Sequence, residues 1–108
     1  MTNEEINLAV TKIAGWTDVK PWRNGSQLLV GTNLSTNQAN KYVPIYIEDL
    51  SAISKLFLRF NLKWQLIVND NGRSYASSSE TGLPRDAQTG DTPEIALCKL
   101  LIELISDI

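Results

Sequence analysis

Apolar residues recur at the spacing of an amphipathic helix in three segments, residues 3–14, 49–60 and 92–107. Each segment begins at or just after a side chain that can accept a hydrogen bond from the first helical turn. In the first segment Thr2 does this, and Glu5 completes a capping box with it. The pattern therefore predicts three helices.

Further capping signals support the other two helices. Asp49 is the candidate N-cap of the second, and Asn61 follows its last apolar position as a stop. The third begins after Asp91 or Thr92, with Pro93 at the first helical position, where the missing N–H has no helical partner to lose.

A period of two replaces the helical period in residues 63–79. Trp64, Leu66 and Val68 share one face of a predicted strand, and Asn71-Gly72 is a preferred pair for a tight turn. The segment therefore predicts an antiparallel hairpin.

The remaining segments carry weaker signals. Residues 27–31 are short and apolar, which predicts a strand. Residues 42–47 alternate, but Pro44 cannot donate a ladder hydrogen bond, so we expect an edge strand or an extended arm there. Residues 18–26, 32–41 and 80–91 are rich in turn-forming residues and are predicted to be loops.

These elements together predict an α+β fold. A small antiparallel sheet, centred on the hairpin, packs with the three helices in an α/β/α sandwich-like arrangement. The 108 residues suit a single domain, residues 1–108, with one core.

The C-terminal helix is apolar over an arc of roughly 220°, whereas covering one sheet needs about 100°. The excess predicts a second contact. We expect a homodimer that buries Leu97, Leu101, Leu104 and Ile108 across a two-fold axis. Burial by the first helix within the same subunit is the alternative.

The composition limits the catalytic and metal-binding sites that the chain can form. The chain has no histidine, which excludes Ser-His-Asp and Cys-His catalysis and most zinc sites. The lone cysteine, Cys98, lies on the apolar arc and is predicted to be buried and inert. We therefore expect no catalytic residue, no metal and no cofactor, and rank an enzyme that uses carboxylates alone as the least favoured interpretation.

Composition also bears on location. A single cysteine fits a reducing compartment, and we find neither a signal peptide nor an apolar run long enough to span a bilayer. These features predict a cytoplasmic protein without a membrane association.

Four basic residues form a candidate partner-binding patch. Lys55 and Arg59 share a face of the second helix, Lys63 continues their four-residue spacing, and Arg73 lies on the paired strand of the hairpin. A solvated face is the alternative interpretation.

An aromatic group in the first half is predicted to pack in the core rather than to form an exposed binding surface: Trp16, Trp22, Tyr42 and Tyr46.

The order of the motifs resembles that of the phage ABA-sandwich family of small phage and prophage proteins. The resemblance lies in Glu4-Glu5-Ile6-Asn7 with Gly15-Trp16, in residues 44–52, in the hairpin with Trp64, Gly72 and Tyr75, and in residues 91–98. Ser51 stands where the family usually has Asn. The resemblance implies a fold and a phage setting, in the cytoplasm of a bacterial host cell, but no reaction. The last twenty residues, in which Gly90-Asp91-Thr92 leads into a helix containing Ala96, also resemble the ending of HicB-type antitoxins.

Three functions follow as hypotheses. The first is a non-enzymatic phage or prophage accessory protein that binds a protein partner of unknown identity. The second is a nucleic-acid-binding regulator or HicB-like antitoxin, against which the net charge of -2 argues. The third is the carboxylate-only enzyme.

Overall fold

The computed structural model describes residues 2–21, 23, 28–33, 38–77 and 88–106. These residues form an α+β fold, as the sequence predicts. The helices are α1 (Asn3–Ile13), α2 (Leu50–Arg59) and α3 (Pro93–Ser106). The strands are β1 (Trp16–Pro21), β2 (Leu29–Asn33), β3 (Gln38–Val43), β4 (Gln65–Val68), β5 (Ser74–Ser77) and β6 (Gln88–Gly90).

The strands form two separate antiparallel sheets of three strands each. The first sheet has the order β1-β2-β3 and follows α1. The second has the order β4-β5-β6 and contains the predicted hairpin, in which Val68 pairs with Ser74 and Gln65 pairs with Ser77. The predicted hairpin is thus present between residues 65 and 77, and residues 78–79 lie outside the described part of the chain.

The helix ends have the predicted caps. The Thr2 hydroxyl accepts the Glu5 N–H at 3.2 Å, and the Glu5 carboxylate accepts the Thr2 N–H at 3.2 Å, which is the predicted capping box. Asp49 accepts the Ala52 N–H at 3.0 Å at the start of α2. Of the two candidate caps of α3, Thr92 is the one used, since its hydroxyl accepts the Ile95 N–H at 3.2 Å.

Helix α2 ends in a Schellman motif. Asn61 has a left-handed φ of 55°, which Asn tolerates better than most residues. The Leu62 N–H donates to the Phe57 carbonyl at 2.8 Å, and the Asn61 N–H donates to the Leu58 carbonyl at 3.0 Å. These two bonds satisfy carbonyls that the helix end would otherwise leave unpaired, and they direct the chain toward β4.

Helix α3 is the centre of the core. It contacts α1, α2 and all three strands of the second sheet. Its buried residues are Ile95, Ala96, Leu97, Cys98, Leu100 and Leu101. From α1 the core receives Ile6 and Val10, and from α2 it receives Ile53 and Phe57. The wide apolar arc predicted for α3 is therefore covered by two helices and a sheet of the same chain.

The first sheet was not predicted as a whole. Residues 18–21 and 38–41 were expected to be loops, and they are strands. Backbone pairing to β2 forms them despite their polar side chains, with register irregularities in both pairings. The predicted strand over residues 42–47 is correct only as far as Val43, because Pro44 ends it, and the expected edge position is occupied by β3.

The predicted loop over residues 80–91 also contains a strand, β6, which pairs with β5. Residues 80–87 of that loop lie outside the described part of the chain. In β6, Gly90 is buried, and a Cβ added to it would lie 2.6 Å from the Ala96 backbone nitrogen of α3. Gly90 therefore permits the close approach of the second sheet to the first turn of α3.

We expect Gly90→Ala to lower the free energy of unfolding by about 1–3 kcal/mol, because the added methyl group must displace backbone rather than a flexible side chain. Urea unfolding followed by circular dichroism measures this change. Thr89→Ala, on the neighbouring residue of β6, is the control and should change stability by less than about 0.5 kcal/mol. Equal stability of the two variants would contradict the packing argument.

Candidate functional site

A cleft of about 350 Å³ lies where α2 meets the first sheet and the segment that joins β3 to α2. Its lining residues are Trp16, Asn33, Pro44, Tyr46, Asp49, Ser51, Ala52, Lys55, Leu56 and Arg59. The cleft thus combines two cations of the predicted patch with two residues of the predicted aromatic group.

A hydrogen bond between two aromatic side chains forms the inner wall of this cleft. Trp16 Nε1–H donates to the Tyr46 hydroxyl oxygen at 2.9 Å, and both side chains are buried. Burial raises the pKa of the Tyr46 phenol, and the hydrogen bond from Trp16 and the charge of Arg59 oppose that rise only in part. Tyr46 is therefore protonated at neutral pH and carries one O–H donor.

The end of α1 fixes the position of Arg59. One Arg59 guanidinium nitrogen donates to the Ala14 carbonyl at 2.8 Å, and Asn33 Nδ2 donates to the same oxygen at 3.1 Å. The guanidinium carbon also lies 5.0 Å from the centre of the Phe60 ring. A cation at the C-terminal end of a helix is favourable, and the hydrogen bond to Ala14 and the contact with Phe60 hold Arg59 at the edge of the cleft.

The charge of the cleft is positive by one unit. Lys55 and Arg59 each contribute a positive charge, and the Asp49 carboxylate contributes a negative charge while it caps α2. Within the part of the chain that the structure describes, Lys55 is exposed and forms neither a hydrogen bond nor an ion pair. Its ammonium group is consequently available to a ligand.

The structure brings only part of the predicted basic patch together. Lys55 and Arg59 line the same cleft, but Lys63 and Arg73 are not among its lining residues. Lys63 precedes β4, whereas Arg73 follows the turn and lies opposite Asn69, to which it is joined by a 2.9 Å backbone hydrogen bond. Lys63 and Asn69 are six residue steps apart, which in an extended chain is a distance of about 20 Å.

Of the four predicted self-association residues, three lie in or against the core. Leu97 and Leu101 have exposed fractions of 0%, because α1, α2 and the second sheet surround α3. Leu104 is half-buried against the same core, and Ile108 lies outside the described residues. Burial of Leu97 and Leu101 therefore does not require a second subunit, since α1, α2 and the second sheet cover them, and the homodimer stays a prediction.

The predicted aromatic group is also divided. Trp16 and Tyr46 are buried together, as core packing required, but Tyr42 is exposed and Trp22 lies outside the described residues. Sequence reasoning missed Asn33 as a lining residue, because it falls in a segment predicted to be a loop and its contact with Ala14 depends on the first sheet.

A second surface of interest is the free edge of β4. This strand pairs with β5 on one side and is the outermost strand of its sheet among the described residues. Ile67 and Val68 have exposed fractions of 63% and 53%, and Trp64 lies just before the strand with its ring 6.3 Å from that of Phe57. No charged residue or proline occurs between Trp64 and Asn69.

A third surface is an open apolar groove of about 600 Å³ between α1, the first sheet and the segment after β3. Leu8, Val19, Leu29, Ile45 and Ile47 supply its apolar lining. Its polar members, which include Glu4 and Asn7, belong to α1.

The remaining features to consider are metal ligands, membrane-spanning helices and the cysteine thiol. The described ranges contain no group of three or more Cys, Asp or Glu residues arranged to hold a metal ion. Among the helices described, none has the length and apolar character needed to cross a membrane. Cys98 is buried, and burial together with the charge of Glu94 raises its pKa to about 12, so it is held as a thiol.

Comparison with known proteins gives no relative: neither a protein-family model, a curated protein nor a solved structure matches the chain. The resemblance to the phage ABA-sandwich family therefore stays a prediction, and the function rests on the surfaces described above.

The Trp16–Tyr46 bond can be tested by stability. We expect Tyr46→Phe to lower the free energy of unfolding by about 1–3 kcal/mol, because the Trp16 N–H is left buried without an acceptor. Tyr75→Phe is the matched control, since the structure shows no hydrogen bond for that hydroxyl within the described ranges. Urea unfolding compares the two, and equal losses would argue against the bond.

The Cys98 thiol predicts a pH dependence. Its folded pKa of about 12 exceeds the ordinary value of 9.0. Above pH 9.0 the unfolded chain loses this proton while the folded chain keeps it, so the thiol's contribution to stability is complete below that pH and is lost up to about 12.

Between the two values the loss should be about 1.4 kcal/mol per pH unit from this group alone. We expect Cys98→Ala, which has no thiol, to show a slope shallower by about that amount when unfolding in urea is measured from about pH 8 to about pH 11. Parallel slopes for the variant and the natural protein would contradict the buried thiol.

Proposed function

We propose that this protein is a non-enzymatic binding module that recognises a protein partner by accepting an extended segment of it along the edge of β4. The resemblance to phage and prophage proteins supplies the proposed setting, in which the partner is a host or phage protein of a bacterial cell.

The observation that carries the proposal is the edge of β4, along which no other strand lies among the described residues. Edge strands in soluble proteins are commonly guarded by lysine, proline, a bulge or a covering element. Residues 64–69 include no charged residue or proline, β4 pairs with β5 in regular register, and Ile67 and Val68 are exposed. An added strand would gain backbone hydrogen bonds from the edge and specificity from these side chains.

The two acids that cap helices and the buried thiol support a binding role rather than catalysis. Glu5 and Asp49 are engaged as helix caps, and Cys98 is a buried thiol with a raised pKa. A nucleic-acid-binding role would need the four predicted basic residues on one face, whereas Lys63 and Arg73 lie at opposite ends of the hairpin.

Photo-crosslinking from defined positions tests the proposal. A photoreactive residue replaces Ile67 on the β4 edge, Leu8 in the apolar groove or Lys41 on β3, and each protein is irradiated in a bacterial lysate. We expect a discrete protein adduct from position 67 alone. Adding Val68→Lys to the position 67 protein should reduce the adduct about tenfold, because a charged edge residue opposes strand addition.

The outcomes separate the alternatives. An adduct of two 12.0 kDa chains would show self-pairing instead of a foreign partner. An adduct from position 8 but not from position 67 would assign binding to the groove, and equal adducts from all three positions would indicate non-specific contact. Either result would overturn strand addition at β4.

For a captured partner, hydrogen exchange gives a direct test. The amides of β4 that face away from β5 should gain protection on binding, while the amides of β1 should not change. Unchanged exchange throughout β4 would contradict the proposed mode of binding.

A further inference from the structure

We infer that the cleft between α2 and the first sheet is a carboxylate-binding site, in which Tyr46, Lys55 and Arg59 hold one carboxylate group. The group belongs either to a small organic acid or to an acidic side chain of a polypeptide. The inference is independent of strand addition at β4, because none of the cleft residues belongs to that strand.

The Tyr46 hydroxyl supplies the first reason. Its side chain has an exposed fraction of only 4%, and its oxygen accepts the Trp16 N–H at 2.9 Å. Its own proton has no acceptor in the portion of the chain that the structure describes. Because a hydroxyl that accepts a hydrogen bond becomes a stronger donor, this buried O–H favours an oxygen acceptor in the cleft.

Arg59 supplies the second reason. One of its terminal nitrogens is committed to the Ala14 carbonyl, and the guanidinium carbon lies 5.0 Å from the centre of the Phe60 ring. A guanidinium has five N–H donors, so this single bond leaves further donors for an anion. Since the side chain is already held in place, ligand binding costs less conformational entropy than it would for a free arginine.

Lys55 supplies the third reason. The hydrogen bond to the Ala14 carbonyl gives Arg59 a structural role at the end of α1. Within the described ranges, the charge of Lys55 has no such structural contact. Its flexible stem allows the ammonium to close over a bound group from the rim of the cleft.

Asp49 sets the charge of the ligand. Its carboxylate lines the same cleft and is fixed there by its hydrogen bond from Ala52. With two cations and one anion the cleft neutralises a single negative charge. A doubly charged phosphate would keep an unpaired charge beside Asp49, so the cleft favours a carboxylate over a phosphate.

The test uses the indole Nε1–H of Trp16 as a reporter, because its hydrogen-bond acceptor is the Tyr46 oxygen itself. The ¹⁵N-labelled full chain is titrated at constant ionic strength with sodium acetate, inorganic phosphate, or a blocked Ala-Glu-Ala tripeptide and its Ala-Gln-Ala counterpart. We expect saturable shifts of the Trp16 indole resonance with acetate and with the Glu peptide, and none with the Gln peptide.

Variants make the assignment specific. Lys55→Gln should weaken binding of the Glu peptide about tenfold, because it removes one charge-assisted hydrogen bond. Lys41→Gln makes the same charge change on an exposed residue outside the cleft and should weaken it less than about twofold. Asp49→Asn keeps a good N-cap and should strengthen phosphate binding, because it removes the repelling charge.

Saturable binding of either acetate or the Glu peptide supports the site, and comparing the two affinities identifies the source of the carboxylate. Equal affinity for acetate and the Glu peptide indicates a small acid as a sufficient ligand, and tighter binding of the peptide indicates an acidic side chain of a polypeptide. Four results would overturn the inference: no saturable indole shift with either carboxylate, equal binding of the Gln peptide, equal losses in Lys55→Gln and Lys41→Gln, or phosphate binding tighter than acetate in the natural protein.

Discussion

The burial of α3 is the constraint on which the rest of the fold depends. A helix with apolar side chains over most of its circumference cannot be left against water, and a single sheet covers only part of it. In this chain α1, α2 and the second sheet close around it, so that Leu97, Leu100 and Leu101 have no exposed surface. The positions of the other elements follow from this packing, as the close approach of Gly90 to the first turn of α3 shows.

A group of side-chain hydrogen bonds connects α1, the first sheet and α2 beside this core. The Ala14 carbonyl accepts hydrogen bonds from Asn33 and Arg59, and Trp16, two residues later, donates to Tyr46. Each bond satisfies a group that burial would otherwise make costly. The same bonds place an arginine and a phenol at one cleft. A structural requirement of the helix end thus creates a surface with the chemistry of a binding site.

Two of the three surfaces, the β4 edge and the cleft, differ in the recognition they offer. The β4 edge presents backbone donors and acceptors beside exposed apolar side chains, which suits an extended polypeptide. The cleft presents fixed donors and one net positive charge, which suits a single anionic group. The β4 edge is a regular strand, the cleft combines helix, strand and loop side chains, and neither surface needs a histidine, a metal or a reactive thiol.

The sequence by itself determined the local elements. Three helices, their caps and the hairpin turn follow from side-chain spacing and from residues such as Thr2, Asp49 and Gly72, because those signals act within a few residues. Only the tertiary structure decided the first sheet, the intramolecular cover of α3, and which of the four basic residues share a cleft. These features depend on contacts between residues distant in the chain: β1 and β3 are polar strands formed by pairing with β2, and Arg59 reaches Ala14 across 45 positions. Periodicity shows which face of an element is buried, but it does not show which element buries it.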